Sequence, residues 1–328
     1  MSSLTYPEAA VIGLLQGVSE LFPVSSLGHS VLLPALVGGR WAADLSVGAP
    51  ESPYLAFIVG LHVATAAALL LYFRADWARL MAGLVTSVRY RRLSTPDERL
   101  IWLLVAATVP VGIAGLALEH TFRTALSRPV PAALFLATNG LVLLAGQHLA
   151  DRQARSRRAE RVRVPAGAPE EPGLAERRPD ERQLAERRAG ERRAGVLADS
   201  RLARLALGRA VLVGCAQVLA LAPGISRSGA TMVAGMSAGL AEGDAARFSF
   251  LLATPVIAAA GLLKLPDLVG PLGAGIHGQV LLGTALSFAG AYLSVAFLTR
   301  YFRSHSLRPF AWYCLAAAAV CLAVLGIR

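Results

Sequence analysis

The sequence predicts an all-α polytopic membrane protein. Two observations carry this. The 328 residues are 55% hydrophobic and only 16% charged, against about 25% charged in an ordinary soluble protein. The mean hydropathy is +0.54, and the charges are bunched, so the rest of the chain is left as apolar runs of the roughly 20 residues that a bilayer crossing needs. A third observation sets the arrangement. The chain repeats itself at one offset, with Gly13, Gln16, Ser25 and Gly28 matching Gly214, Gln217, Ser226 and Gly229.

The first apolar stretch, Ala9 to Val37, is interrupted by Gly13, Gly17, Pro23, Gly28 and Pro34. It carries Ser19, Glu20, Ser25, Ser26 and His29 in its middle. Backbone broken at membrane depth has to be buried in protein or line a wet cavity, so this stretch reads as a re-entrant hairpin of two half-helices. Three spans follow, near Tyr54 to Phe73, Leu100 to Leu118 and Pro131 to Leu149. The pattern then returns. Leu207 to Leu240 is broken by Pro223, Gly224 and Gly229, and spans follow near Phe248 to Leu265, Val280 to Leu298 and Phe310 to Ile327. Each half is one hairpin plus three transmembrane helices, six full spans in total. An odd number of crossings per half makes the repeat inverted, an architecture whose broken helices meet near the midplane and build a site there.

Three regions result: a first membrane repeat over 1–150, a charged cytoplasmic linker over 151–204 and a second membrane repeat over 205–328. The linker is low in complexity, with Glu-Arg-Arg recurring at Glu176, Glu186 and Glu191 and no aromatic residue. Such composition predicts disorder. Arginine placement sets the orientation. Arg74, Arg79, Arg89, Arg91 and Arg92 fall in one loop, Arg300, Arg303 and Arg308 in another, and the linker is arginine-rich. All three lie on one side of a six-span arrangement, which is therefore cytoplasmic. Both termini and the mouth of the first hairpin are then outside, with Arg123 and Arg128 as the exceptions.

A formal charge of +11 does not indicate nucleic acid, because the arginines sit in loops that flank spans. Cys215, Cys314 and Cys321 lie in apolar runs without metal-ligand spacing. No basic residue precedes Arg40, so the N-terminal stretch reads as part of the bundle and not as a secretory leader. No protein partner is indicated.

Ionisable residues at membrane depth are functional by default. In the second break, Ser226, Ser228 and Thr231 surround Arg227, and a helix begins just after Gly229. A helix N-terminus, hydroxyls and a guanidinium fork suit a phosphate. The first break offers the complementary chemistry. Glu20 can hold a divalent cation or act as a base. Ser25 and Ser26 are candidate nucleophiles, and His29 is placed to take a serine proton. Gln16 lies one helical turn before Glu20 on the same face. His62, in an otherwise apolar span, reads as a hydrogen-bonded core residue.

These motifs resemble the undecaprenyl-diphosphate phosphatase family of bacteria, also called bacitracin-resistance proteins. The resemblance rests on Gln16 to Glu20 leading into Pro23 to His29, on Pro223 to Thr231, and on the FSFLL of Phe248 to Leu252. It implies hydrolysis of a C55 isoprenoid diphosphate to its monophosphate with Mg²⁺ or Ca²⁺, in the bacterial cell membrane, at a site facing outside. That reaction recycles the lipid carrier for peptidoglycan synthesis and gives bacitracin resistance. The resemblance implies catalytic roles for Glu20, Ser26, His29 and Arg227, with Glu20 as the metal ligand. Gln16, Ser25, Ser226, Ser228, Gly229 and Thr231 are the expected substrate-binding set. Gln16 stands where some relatives carry a first Glu, and Tyr313-Cys314 stands where the family pattern ends in Tyr-Arg. A polyprenyl-phosphate flippase is the alternative that a repeat of this kind suggests; a serine nucleophile beside a histidine and a carboxylate favours chemistry over transport.

Overall fold

The computed structural model describes residues 4–45, 53–121, 126–162, 195–269 and 275–327, and every regular element among them is helical. In chain order these are α1 (Tyr6–Ser19), α2 (Ser26–Val37), the short α3 (Gly39–Asp44), α4 (Pro53–Tyr72), α5 (Arg74–Tyr90), α6 (Pro96–Thr121) and α7 (Pro129–Val162). After these come α8 (Gly195–Leu202) and α9 (Leu207–Ala216), which runs into a 3-10 turn over Gln217–Leu221. The chain finishes with α10 (Arg227–Ser237), α11 (Glu242–Val269), α12 (His277–Tyr301) and α13 (Arg308–Ile327).

Five helices contain stretches long and apolar enough to cross a bilayer: Pro96–Leu118, Pro129–Arg155, Glu242–Leu263, His277–Tyr301 and Arg308–Ile327. There are seven if each of two bent pairs is one span, α4 with α5 at 85° and α8 with α9 at 102°. The protein is a multi-pass membrane protein. Each of the six spans expected from hydropathy falls on a helix, namely α4, α6, α7, α11, α12 and α13.

The halves interlock. α1 packs along α12 and α9 along α6, while α4 lies on α11 and α7 on α13. Small residues make the closest contacts. A Cβ on Gly13 would lie 2.5 Å from the Gly283 carbonyl oxygen, and one on Gly17 would lie 2.3 Å from that of Ser287. The repeat partner of Gly13 behaves alike: a Cβ on Gly214 would lie 2.1 Å from the Ala107 carbonyl oxygen. Backbones meeting at glycine in this way is how helices associate tightly where lipid removes the hydrophobic drive.

The segment 74–90, expected as a loop, is the helix α5. It buries Leu80, Gly83 and Ser87 and exposes Arg74 and Arg89, so it is amphipathic, and it turns away from α4 at 85°. The expected linker over 151–204 is also helical at both ends. α7 continues to Val162, and α8 buries Asp199 and Leu202. Specific ion pairs explain the order at these ends. Asp199, 1% exposed, accepts from Arg79 at 2.5 Å and from Arg247 at 2.7 and 3.1 Å. Arg201 makes a two-pronged pair with Asp244, both bonds 2.7 Å. Asp151 pairs with Arg308 at 2.6 Å, and Gln147 bonds Glu242, Asp151 and the Leu307 amide. These contacts tie the three arginine-rich stretches together. Residues 163–194 of the expected linker lie outside the described residues.

Candidate active site

Both breaks are built by serine caps at repeat-related positions. Ser25 caps α2 by accepting from the Gly28 amide at 3.2 Å, and Ser226 caps α10 by accepting from the Gly229 amide at 3.1 Å. The Ser25 oxygen takes a second donor, the Gly224 amide at 3.1 Å, from the other break. Ser25 adopts φ +70° to make this clasp, a left-handed conformation uncommon outside glycine. Gly224 has φ +116°, and a Cβ on Gly28 would lie 2.9 Å from the Gly224 Cα. The Phe22 carbonyl accepts from Ser228 of the second half at 3.2 Å, and the Pro23 carbonyl accepts at 3.0 Å from Asn139 on α7, whose Oδ1 in turn accepts from the Ser226 amide at 2.9 Å. The breaks therefore meet back to back.

Where they meet there is a cavity of about 270 Å³ whose polar wall includes Gln16, Glu20, Ser26, His62, Gln217, Ser226 and Arg227. Its centre is a salt bridge, with Arg227 Nη2 2.8 Å from Glu20 Oε1 and both side chains largely buried. The second carboxylate oxygen accepts from the Ser26 hydroxyl and from Gln16 Nε2 at 3.4 Å. His62 Nε2 lies 3.8 Å from that same oxygen. The His62 Nδ1 is 2.8 Å from the Ile58 carbonyl, which can only accept, so Nδ1 carries the proton and the opposite nitrogen faces Glu20.

The helix ends give the cavity polarity. Glu20 is the C-terminal cap of α1, and Arg227 is the first residue of α10. A helix C-terminus favours cations and an N-terminus anions. Each charged residue thus sits at the end that disfavours its own charge, and the pair compensates both. The same polarity suits a cation on the Glu20 side and a phosphate on the Arg227 side.

Several side chains lie elsewhere than the motifs suggest. His29 is not the partner of Ser26. Its Nδ1 bonds the Ser25 carbonyl and its Nε2 the Tyr313 hydroxyl, both at 2.7 Å, and it does not line the cavity. One helical turn separates His29 from Ser25, which directs the ring to that carbonyl and on to α13. Thr231 is buried against the Arg227 and Ser228 carbonyls and Ser249 Oγ. Ser228 turns to the Phe22 carbonyl and Ser226. The Gly229 amide is capped, and a Cβ there would lie 3.3 Å from Pro23. These three build the second break and do not face the cavity; Ser226, Arg227, Ser26, Ser25, Gln16 and Glu20 do line it.

Sequence reasoning missed His62, Gln217 and Tyr313. A histidine in an apolar span is itself a signal, and Gln217 is the repeat partner of Gln16. Nothing in the sequence pairs Tyr313 with His29.

A family profile described as "Bacitracin resistance protein BacA" matches residues 9–170 and 173–320. The chain belongs to the bacitracin resistance protein family. Among members of this family, the undecaprenyl-diphosphatase of Mycolicibacterium paratuberculosis is 58% identical over 325 residues, 99% of each chain. That of Mycobacterium avium is 58% identical over 327 residues, covering 100% of this chain and 99% of its own. Undecaprenyl-diphosphatase 1 of Frankia casuarinae is 52% identical over the whole of both chains. As a bacitracin resistance family chain, it has its two motif segments on the facing walls of one cavity.

For the divalent cation that the family resemblance implies, the cavity offers one carboxylate. Among the described residues no group of three or more His, Cys, Asp or Glu side chains could hold a metal. Glu20 is the one carboxylate in the cavity wall. Mg²⁺ is commonly held by one or two carboxylates together with substrate phosphates, so Glu20 plus a diphosphate meets that need. The Gln16 carbonyl oxygen is already engaged, accepting from Ser287 at 2.7 Å and Thr65 at 3.2 Å.

Proposed function

We infer that this protein hydrolyses undecaprenyl diphosphate to undecaprenyl phosphate and inorganic phosphate, and so supports lipid-carrier recycling and bacitracin resistance. The observation that carries this is the Ser26–Glu20–Arg227 constellation in one buried cavity, in a chain over half identical across its length to named undecaprenyl-diphosphatases. A carrier needs charge complementarity but not a serine hydroxyl aimed at a carboxylate, so the flippase reading is not favoured.

The headgroup carries about three negative charges, which a low-dielectric cavity holds only when they are paired. Arg227 leaves Glu20 for the phosphate oxygens, helped by the α10 N-terminal end. The Ser26 oxygen attacks the terminal phosphorus and passes its proton to Glu20, the acceptor already in place. The bond from that phosphorus to the bridging oxygen breaks, and undecaprenyl phosphate leaves. Water then attacks the phosphoserine and loses one proton to solvent by way of His62, the bond from phosphorus to the Ser26 oxygen breaks, Glu20 returns its proton to that oxygen, and hydrogen phosphate is released. His62, beside the same carboxylate oxygen, is placed to relay protons to and from Glu20. Glu20, together with phosphate oxygens, would hold Mg²⁺ or Ca²⁺, and the ion would supply charge neutralisation and polarisation of the terminal phosphorus.

The repeat at one offset, the paired contacts of α1 with α12 and α9 with α6, and the two serine caps support an inverted repeat of one re-entrant hairpin plus three spans per half. The shared end of the arginine-rich stretches supports a cytoplasmic placement for that end, with the cavity opening toward the outer face of the inner membrane. Phosphate release from a polyprenyl diphosphate by purified protein in detergent tests the activity; no release sinks it. A cysteine introduced between Val162 and Gly195 tests the orientation, which is wrong if an impermeant thiol reagent labels it in intact cells.

A further inference from the structure

Gln217 caps the C-terminus of α9 and lines the same cavity as Glu20. It is 1% exposed. Its Nε2 faces the Ala107 carbonyl at 3.5 Å, and its Oε1 is buried with no hydrogen-bond partner among the described residues. Turning the amide over would set two carbonyl oxygens against each other, so the Ala107 carbonyl fixes which end is orphaned. Its repeat partner is the opposite case: the Gln16 oxygen is held by Ser287 and Thr65, and its nitrogen is turned to Glu20.

A buried acceptor without a donor is unfavourable and calls for a partner. A diphosphate does not supply one, since its ionised oxygens are acceptors too. What satisfies an amide oxygen beside a phosphate is a cation or the water on it, and carboxamide carbonyls are ordinary oxygen ligands for hard divalent ions. The C-terminal end of a helix favours the same charge, and Glu20 occupies such an end.

We propose that Gln217, not Gln16, is the neutral oxygen partner of the divalent cation that Glu20 holds, taking the ion directly or through its hydration water. The proposal rests on the phosphohydrolase reading of the cavity. It makes the cation site a joint product of the two halves, with the carboxylate from the first break and the amide oxygen from the second.

The test is Mn²⁺ binding, followed by the electron paramagnetic resonance of free Mn²⁺, to full-length protein in detergent with saturating methylenediphosphonate. Gln217→Met keeps the shape and removes the oxygen; Mn²⁺ affinity falls about tenfold while cation-free thermal stability is unchanged or higher, because an orphaned acceptor is gone. Gln217→Glu binds Mn²⁺ at least about tenfold more tightly than the parent. Gln16→Met stays within about threefold of the parent's affinity. Three results overturn the proposal: no specific Mn²⁺ binding by the parent, parental affinity in both Gln217 variants, or a destabilised Gln217→Met that binds Mn²⁺ as the parent does. Turnover of a polyprenyl diphosphate is measured separately, so Gln217-dependent ion binding without hydrolysis would remove the activity and leave the ion site standing.

Discussion

The hydroxyl of Ser26 donates to the carboxylate of Glu20, six residues earlier in the chain. The turn between α1 and α2 makes this pairing. Removing the hydroxyl tests which atom attacks phosphorus. Ser26→Ala lowers kcat by about 10³-fold or more if the serine is the nucleophile. Rapid acid quench with terminally labelled substrate traps a phosphoserine in the parent and none in the variant. Turnover within tenfold of the parent would assign the attack to water.

Arg227→Lys keeps the charge and loses the planar fork. The expected loss is about 10²-fold in kcat/KM, comparable with removing one preorganised donor from a developing oxyanion. A steady-state comparison at saturating cation reads it. A lysine variant near parental efficiency would mean that Arg227 supplies charge alone.

The two histidines separate cleanly. His62→Gln lowers kcat by about 10²-fold, the lower range for a proton-transfer group. His29 acts through Tyr313, so Tyr313→Phe reproduces whatever His29→Gln does, and the double variant is no worse than the more severe single. Additive losses would place His29 in the reaction after all.

Gly28→Ala presses a methyl carbon to 2.9 Å from the Gly224 Cα. Overpacking of this kind costs roughly 1–3 kcal/mol, and thermal unfolding in detergent shows it as a lowered Tm. An unchanged Tm would mean that the breaks separate easily.

Asp199→Asn removes the buried charge that Arg247 and Arg79 share, while Asp76 still pairs with both at 3.0 Å, so the loss is that of charged hydrogen bonds, roughly 1.5–3 kcal/mol, read as a lowered Tm in detergent. Shortening the stretch between Val162 and Gly195, with α7 and α8 kept whole, leaves hydrolysis within about threefold of the parent, because its composition cannot support a packed core. A folded but inactive deletion would overturn that second expectation.

Hydropathy located α4, α6, α7, α11, α12 and α13 because an apolar run of bilayer length has few other uses. α5 escaped because its arginines were read for charge and not for the helical spacing of Leu80, Gly83 and Ser87. The facing walls of the cavity were legible as two motifs, since Glu20 and Arg227 are too costly at membrane depth to lie there idle. Which neighbour each side chain would choose was not. His29 and Tyr313 are 284 residues apart, and the ring's direction follows from the packing of α2 on α13, which leaves no periodicity in the sequence. The same holds for Ser287 and Gln16: only the seating of α12 on α1 shows that one oxygen of the first glutamine is already taken.

Arg227 rests against Glu20, so the cavity carries its own stand-in for an anionic headgroup. Any visitor has to outcompete a carboxylate that is tethered in place and never diffuses away. A pyrophosphoryl group, with its greater charge, can do so; free phosphate, carrying less and losing its lipid tether, is at a disadvantage. In the proposed mechanism the carboxylate that admits the diphosphate also evicts the spent anion, and selectivity and product inhibition become two readings of one equilibrium. Weakening the stand-in without removing its charge, as in Glu20→Asp with its shorter reach, should show as tighter inhibition by inorganic phosphate before it shows as any change in the preference for lipid.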